Sequence, residues 1–188
     1  MEEELKIKGQ EDWDNSGLQV GSMNDDIKNI MLTLDVDLHA IQYAVSTNTD
    51  LIITHHPFLF SGIKSVDFNT YEGIVIKELI TKGISLYSMH TSFDMADYGV
   101  SCKLAEKLNI SDYHVLHKVN YDLSGYGGVG TIESLNILKY SRIVKEQLNA
   151  GYVKLYCDDD KKTVKRVAFC GGSGSDFIDD AIREKADV

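Results

Sequence analysis

Two neighbouring histidines, His55 and His56, close the apolar run "DLIITHHPFLF" at residues 50–60, just ahead of Pro57, the single proline of the chain. A third imidazole and a carboxylate follow in "MHTSFD" as His90 and Asp94, and Asp35 stands near the end of an earlier apolar run, "IKNIMLTLDV", at 27–36. Neutral imidazole with carboxylate, and no cysteine close by, suits zinc, iron, manganese or nickel and argues against a thiolate site. Adjacent histidines within a strand point to opposite faces. Past a strand end the chain can turn, and two neighbouring imidazoles then reach two cations about 3.5–4 Å apart, the spacing of two-metal hydrolases. Pro57 biases His56 toward extended geometry and removes a backbone donor. Asp94 fits a terminal or bridging ligand, or a helix cap. His90 fits a ligand or an outer support, and Asp35 a cap or an outer support. A lone strand-end histidine is usually structural; two side by side, with a second His-x-x-x-Asp at the next strand end, favour metal.

These residues need elements to bring them together. Short apolar runs alternate with segments of helical period, the pattern of an α/β protein. The runs at 27–36, 50–55 and 84–90 read as strands, with helices at about 37–46 and 71–81, the second stopped by Gly83. Consecutive parallel strands put their C-terminal ends on one edge, where ligands bind in α/β sheets. Asp35, His55, His56, His90 and Asp94 all fall at that edge. A further helix is entered late at Gly99. The glycine-rich "GYGGVGTIE" (125–133) reads as a strand closely approached by another backbone. A helix at 134–150, strands at 152–157 and 164–170, and a last helix burying Phe177, Ile178, Ala181 and Ile182 complete the pattern. The division expected is an N-terminal α/β lobe, 1–123, carrying the metal motifs, and a second lobe, 124–188. "EKADV" reads as a helix end plus the first residue of a strand, so the second lobe is expected to be incomplete.

"WDNSGLQVG" (13–21) is dense in turn formers. Asp14 and Asn15 either bond local backbone or line the same crevice. "CGGSGSDFI" resembles a phosphate loop, but it lacks a Walker lysine and G-x-G-x-x-G spacing, so a tight turn is the better reading. His39, His114 and His117 have no partners in the pattern and read as surface or core residues.

Twenty-nine acidic against nineteen basic residues give a net charge of −10, which argues against broad nucleic-acid binding. The three cysteines are widely spaced with no C-x-x-C pair, as for thiols in a reducing compartment. The charged N-terminus lacks a signal-peptide core and no run reaches membrane-spanning length, so a cytoplasmic protein is expected.

"WDNSGLQVG", "LIITHHPFLF", "MHTSFD" and "FCGGSGSDFI", in that order, resemble the Ngg-one-interacting-factor-three-like family, whose members are often called GTP cyclohydrolase 1 type 2 homologues. The resemblance runs from about Asp12 to the last residue. It implies two related α/β lobes with mixed, largely parallel sheets, a hexameric ring, and a dinuclear metal site facing an internal cavity. Carried over by motif, His55, His56 and Asp94 are the metal ligands, and a later His and Glu would complete the set. The family pattern has an Arg and an Asn where this chain has Gly128 and Ser101. A metal-dependent hydrolase of a small phosphate-containing or heterocyclic molecule is the leading expectation. The alternative is a metal-binding regulatory or metal-delivery protein without turnover.

Overall fold

In the computed structural model, which describes residues 9–119 and 124–188, the apolar runs of the first half become the short strands of one mixed sheet. Strands β1 (Gly17–Val20), β2 (Ile30–Thr33), β3 (Leu51–Thr54) and β4 (Ser85–Ser88) lie in the order β1-β4-β3-β2. β2, β3 and β4 pair in parallel, while β1 runs antiparallel to β4 with an irregularity between Leu18 and Val20. β2 starts later than its apolar run because the Asp50 carboxylate takes the N–H groups of Lys28 and Asn29, at 2.9 and 2.8 Å.

Helix α1 (Leu38–Ser46) begins where Asp37 accepts from the Ala40 N–H at 2.7 Å, the cap expected of an aspartate ahead of a helix. Helix α2 (Tyr71–Lys82) is capped by Thr70 and ends at Gly83, whose φ of 66° is costly for a side-chain-bearing residue. Ile41 and Ala44 of α1 and Val75 and Leu79 of α2 form one core with Ile52 and Leu86 of the sheet. Each such fully buried aliphatic side chain contributes about 1.5–3 kcal/mol.

Contacts divide the chain at helix α3 (Thr91–Asp94): Gly9–Phe93 is one compact unit and Asp94–Val188 belongs to the other. The seam expected near Leu123 falls on residues outside those described. The second unit holds helix α4 (Val100–Lys107), entered at Gly99, then strands β5 (Ser111–Lys118) and β6 (Gly125–Asn136), helix α5 (Ile137–Gln147), strand β7 (Thr163–Phe169), a 3₁₀ turn at Ser175–Phe177 and helix α6 (Ile178–Arg183). Its sheet, β5-β6-β7, is antiparallel throughout, so the largely parallel order belongs to the first sheet. The glycine-rich run is β6. A Cβ on Gly130 would stand 2.7 Å from the Ser111 carbonyl oxygen, which is the close backbone approach that run suggested.

Two expectations for this half are corrected. Residues 152–157 form no strand; Tyr152 and Tyr156 are 74% and 87% exposed, and a short apolar run without a ladder partner does not make a strand. In α6, Ile178 and Ile182 are exposed, not buried. Among the described residues no helix is long and apolar enough to cross a membrane.

Candidate metal centre

Thr33, Thr54 and Ser88, the last residues of the three parallel strands, align in register. The residues that follow them therefore share one rim. His55 and His56 lie in a bend immediately beyond β3. The bend is held by the His56 N–H donating to the Leu34 carbonyl at 3.1 Å, the Met89 N–H donating to the Thr54 carbonyl at 2.8 Å, and the Ser88 hydroxyl donating to the His55 carbonyl at 3.0 Å. Leaving the strand is what lets the two imidazoles stay together: their centroids are 5.0 Å apart. His90 joins them, at 5.3 Å from His55 and 5.9 Å from His56.

Each ring is oriented by a partner on Nδ1. His55 Nδ1 lies 2.9 Å from the Met89 carbonyl, His56 Nδ1 2.8 Å from Asp35 Oδ1, and His90 Nδ1 2.8 Å from Asp14 Oδ1. A carbonyl or an ionised carboxylate only accepts, so each Nδ1 carries the proton and donates. In the neutral ring the lone pair then sits on Nε2, the arrangement in which metal-ligating histidines are held by outer partners.

Asp14 is the most constrained of these partners. Its side chain is fully buried. Burial works to raise its carboxyl pKa, but hydrogen bonds from Thr91, His90, Ser16 and the Asn15 N–H outweigh it and bring the pKa down to about 2. Its Oδ2 accepts from the Thr91 hydroxyl at 2.6 Å, the Thr91 N–H at 3.1 Å and the Ser16 hydroxyl at 2.7 Å. The Ser16 oxygen in turn accepts the His90 N–H at 3.0 Å. The segment 13–21 thus lines the rim in its first half and continues as strand β1. Asn15 does something else: its amide donates to the Leu59 carbonyl, tying this loop to the one after Pro57. Trp13 and Phe60 stand 6.1 and 6.4 Å from the His90 ring.

One nitrogen each from His55 and His90 and one oxygen of Asp94, the last residue of α3, lie within 4.8 Å of one another, close enough to share a cation. His56 is outside that three-atom set, beside His55. Asp94 sits four residues beyond His90, at the end of α3, so it is no N-cap. Among the cysteines, Cys170 is pushed up by burial and by the Asp94 charge, which keeps its thiol protonated and a poor metal ligand.

The other histidines pair elsewhere. His114 meets Glu184 at 3.3 Å, and His117 meets Asp180 at 2.9 Å while stacking on Phe177. His39 is exposed on α1. The "CGGSGSDFI" segment makes a tight turn: a Cβ on Gly171 would press on Val100 at 2.7 Å. Spacing alone could not find Ser16 and Thr91. Their only signal was the density of turn-forming and hydroxyl residues around Asp14 and His90.

The profile of the Duf34/NIF3 (NGG1p interacting factor 3) family matches residues 1–188. A "GTP cyclohydrolase 1 type 2 homolog" of Campylobacter jejuni is 36% identical over 172 residues, covering 90% of this chain and 65% of the relative. A "GTP cyclohydrolase 1 type 2" of Helicobacter pylori is 33% identical over 174 residues, covering 90% and 64%. The chain thus spans just under two thirds of these relatives' length. A Staphylococcus aureus hypothetical protein shares the fold with a TM-score of 0.89 at 24% identity, over 99% of this chain and 74% of that one. The structure described as reduced HcgD from Methanocaldococcus jannaschii has a TM-score of 0.70 at 30% identity, over 94% and 68%.

Proposed function

That this chain belongs to the Duf34/NIF3 (NGG1p interacting factor 3) family is the premise from which we propose a metal-dependent hydrolase acting on a small, nucleotide-like molecule. The reading rests on one observation: the His55 and His90 imidazoles, each with Nδ1 held by an acceptor, come together with the Asp94 carboxylate, and His56, held in the same way, stands beside His55. That donor set fits a borderline divalent ion such as zinc, iron, manganese or nickel.

His55, His56 and Asp94 are the proposed ligands of a pair of cations, with His90 alongside them. When bound, two divalent cations supply a water acidified toward neutrality and positive charge against a developing oxyanion. The protein's own residues do the rest. Asp14, Asp35 and the Met89 carbonyl hold the rings in orientation and fix the tautomers. Trp13 and Phe60 border the rim with apolar surface that limits water. The names of the bacterial relatives support a purine nucleotide as the first substrate to test. The resemblance also supports assembly as a hexameric ring in the cytoplasm.

Elemental analysis of the purified protein, followed by turnover assays on GTP and nucleotide analogues, tests the proposal. Up to two metal equivalents per chain are expected, with metal and turnover both lost in His55→Ala and Asp94→Ala. Stoichiometric metal without turnover on any hydrolysable substrate would replace hydrolysis with metal delivery or regulation. A protein that takes up no divalent metal overturns both.

A further inference from the structure

Two aromatic side chains beside the candidate centre stand out in solvent: Trp13 is 58% exposed and Phe60 50%. Single exposed apolar residues are ordinary. These two form a pair, with ring centroids 6.1 Å apart and planes inclined at 50°. Both rings lie roughly perpendicular to His90, at 6.1 and 6.4 Å. Trp13, Phe60 and His90 all belong to the compact unit Gly9–Phe93.

The chain holds both rings from behind. Trp13 lies in a turn closed by the Asp14 N–H on the Glu11 carbonyl at 3.0 Å. That turn is moored by the Glu11 N–H donating to the Thr91 hydroxyl at 3.2 Å and by the buried Asp14 side chain. Phe60 follows Phe58, which packs against the core of the unit. The Gln19 side chain joins the two loops: its oxygen accepts the Leu59 N–H at 2.9 Å, and its amide donates to the Asn15 carbonyl at 2.7 Å. Asn15 adds its own bond to the Leu59 carbonyl. Core packing does not account for the placement of the two rings, since each is half or more exposed.

Their geometry limits what the pair can hold. A ring sandwiched between two others needs about 7–8 Å between them, twice a carbon–carbon contact of about 3.5–4 Å. At 6.1 Å and 50° the two rings instead form adjoining walls of a corner. A flat ligand ring stacks on one wall and meets the other edge-on, the two arrangements that aromatic rings prefer. An aliphatic ligand gains only area burial there. An ammonium group is attracted to the same rings, but it would share the rim with the proposed divalent cations and be repelled by them.

We propose that Trp13 and Phe60 bind a planar heteroaromatic ring, such as a nucleobase, beside the His90 imidazole. This names the part of the ligand that the site grips, and it rests on the hydrolase reading for the ligand's fate, not for its binding. Every base has a π face, so stacking here accepts either purine.

Trp13 is the single tryptophan of the chain, so its fluorescence reports on this corner alone. Titration with guanosine monophosphate, adenosine monophosphate, ribose 5-phosphate and choline tests the proposal, on the protein as purified and after chelation. Both nucleotides are expected to quench Trp13 and to bind at least about tenfold more tightly than ribose 5-phosphate, which carries the phosphate without the ring. Choline is expected to bind more weakly than either nucleotide. Trp13→Leu and Phe60→Leu keep an apolar side chain and remove the aromatic ring. Calorimetry should show nucleotide affinity falling by about 5- to 150-fold in each, with ribose 5-phosphate affinity, metal content and circular dichroism unchanged. No quenching of Trp13, no preference for nucleotides over ribose 5-phosphate in either sample, tighter binding of choline, or a preference intact in both folded variants overturns the proposal. Metal content measured on the same samples separates the two claims: ring binding by a protein that takes up no metal defeats only the hydrolase reading, and metal-dependent turnover without ring preference defeats only this one.

Discussion

Asp14 and His90 stand 2.8 Å apart, carboxylate oxygen to Nδ1, although 76 residues separate them in the chain. The carboxylate is fully buried and the imidazole is one-fifth exposed, so the pair fixes the orientation of a ring that belongs to the candidate centre. Replacing Asp14 by Asn keeps the shape and removes the charge. An amide can offer either an N–H or a carbonyl to Nδ1, so the ring is no longer held in one tautomer. Loss of such an outer partner typically lowers metal affinity 10- to 100-fold. Competitive titration with a chromophoric chelator should show a drop of about that size for Asp14→Asn, with fold retained by circular dichroism.

The same carboxylate gives a pH signature. Its pKa falls from 3.8 to about 2 on folding. A depressed carboxylate stabilises the fold above its unfolded pKa, and that stability is lost as pH falls through the folded value. The window is thus about pH 4 down to about pH 2, and the difference corresponds to about 2 kcal/mol. Urea unfolding at about pH 5 and about pH 3 should show the wild type losing stability that Asp14→Asn does not lose.

Asp35 contrasts with Asp14. It holds His56 by the same kind of bond, but the two side chains are 66% and 48% exposed. Solvent-exposed pairs contribute about 0–1 kcal/mol. Asp35→Ala is therefore expected to leave the unfolding midpoint nearly unchanged, while metal affinity falls because His56 loses its orientation. A midpoint drop as large as that of Asp14→Asn would mean the pair is structural first.

Much of this centre was legible before any coordinates. The end-of-strand positions of His55, His56 and His90 followed from apolar runs bounded by Asp37 and Gly83, because parallel strands joined by helices have few ways to close. What spacing could not supply was the third dimension at the rim. His90 came out closer to His55 and Asp94 than the paired-histidine motif implied, since its ring is set by Asp14 from a distant segment. β1 was missed because four residues, all half-buried, leave no alternation to detect. The run at 152–157 misled for the opposite reason: its apolar, tyrosine- and valine-containing composition suits a strand, but its tyrosines face solvent. The antiparallel second sheet was hidden by β6, whose glycines carry no side-chain periodicity.

Gly73, in the first turn of α2, is a case where packing defeats propensity. In a helix interior alanine is favoured over glycine by about 1 kcal/mol. Here a Cβ would lie 1.9 Å from the Asp67 carbonyl oxygen, a backbone atom that cannot swing away. Gly73→Ala must displace the loop ahead of the helix, and overpacking of this kind costs about 1–3 kcal/mol or more. The variant is expected to melt at lower temperature than the parent; a higher melting temperature would mean the 67–70 turn yields freely.

Metal itself should report on His55. A cation present at about a hundred times its Kd stabilises the folded state by about 2.7 kcal/mol if it does not bind the unfolded chain. In a chain of this size each kcal/mol moves the melting temperature by roughly 2–4 °C, so chelation should lower Tm by about 5–11 °C. His55→Ala removes an imidazole whose Nδ1 is anchored to Met89 and whose ring neighbours both other histidines. Its Tm should then be indifferent to chelator, whereas His39→Ala, on the exposed face of α1, should keep the full shift. Scanning calorimetry with and without chelator distinguishes the outcomes: a shift that survives His55→Ala places the stabilising cation somewhere other than this rim.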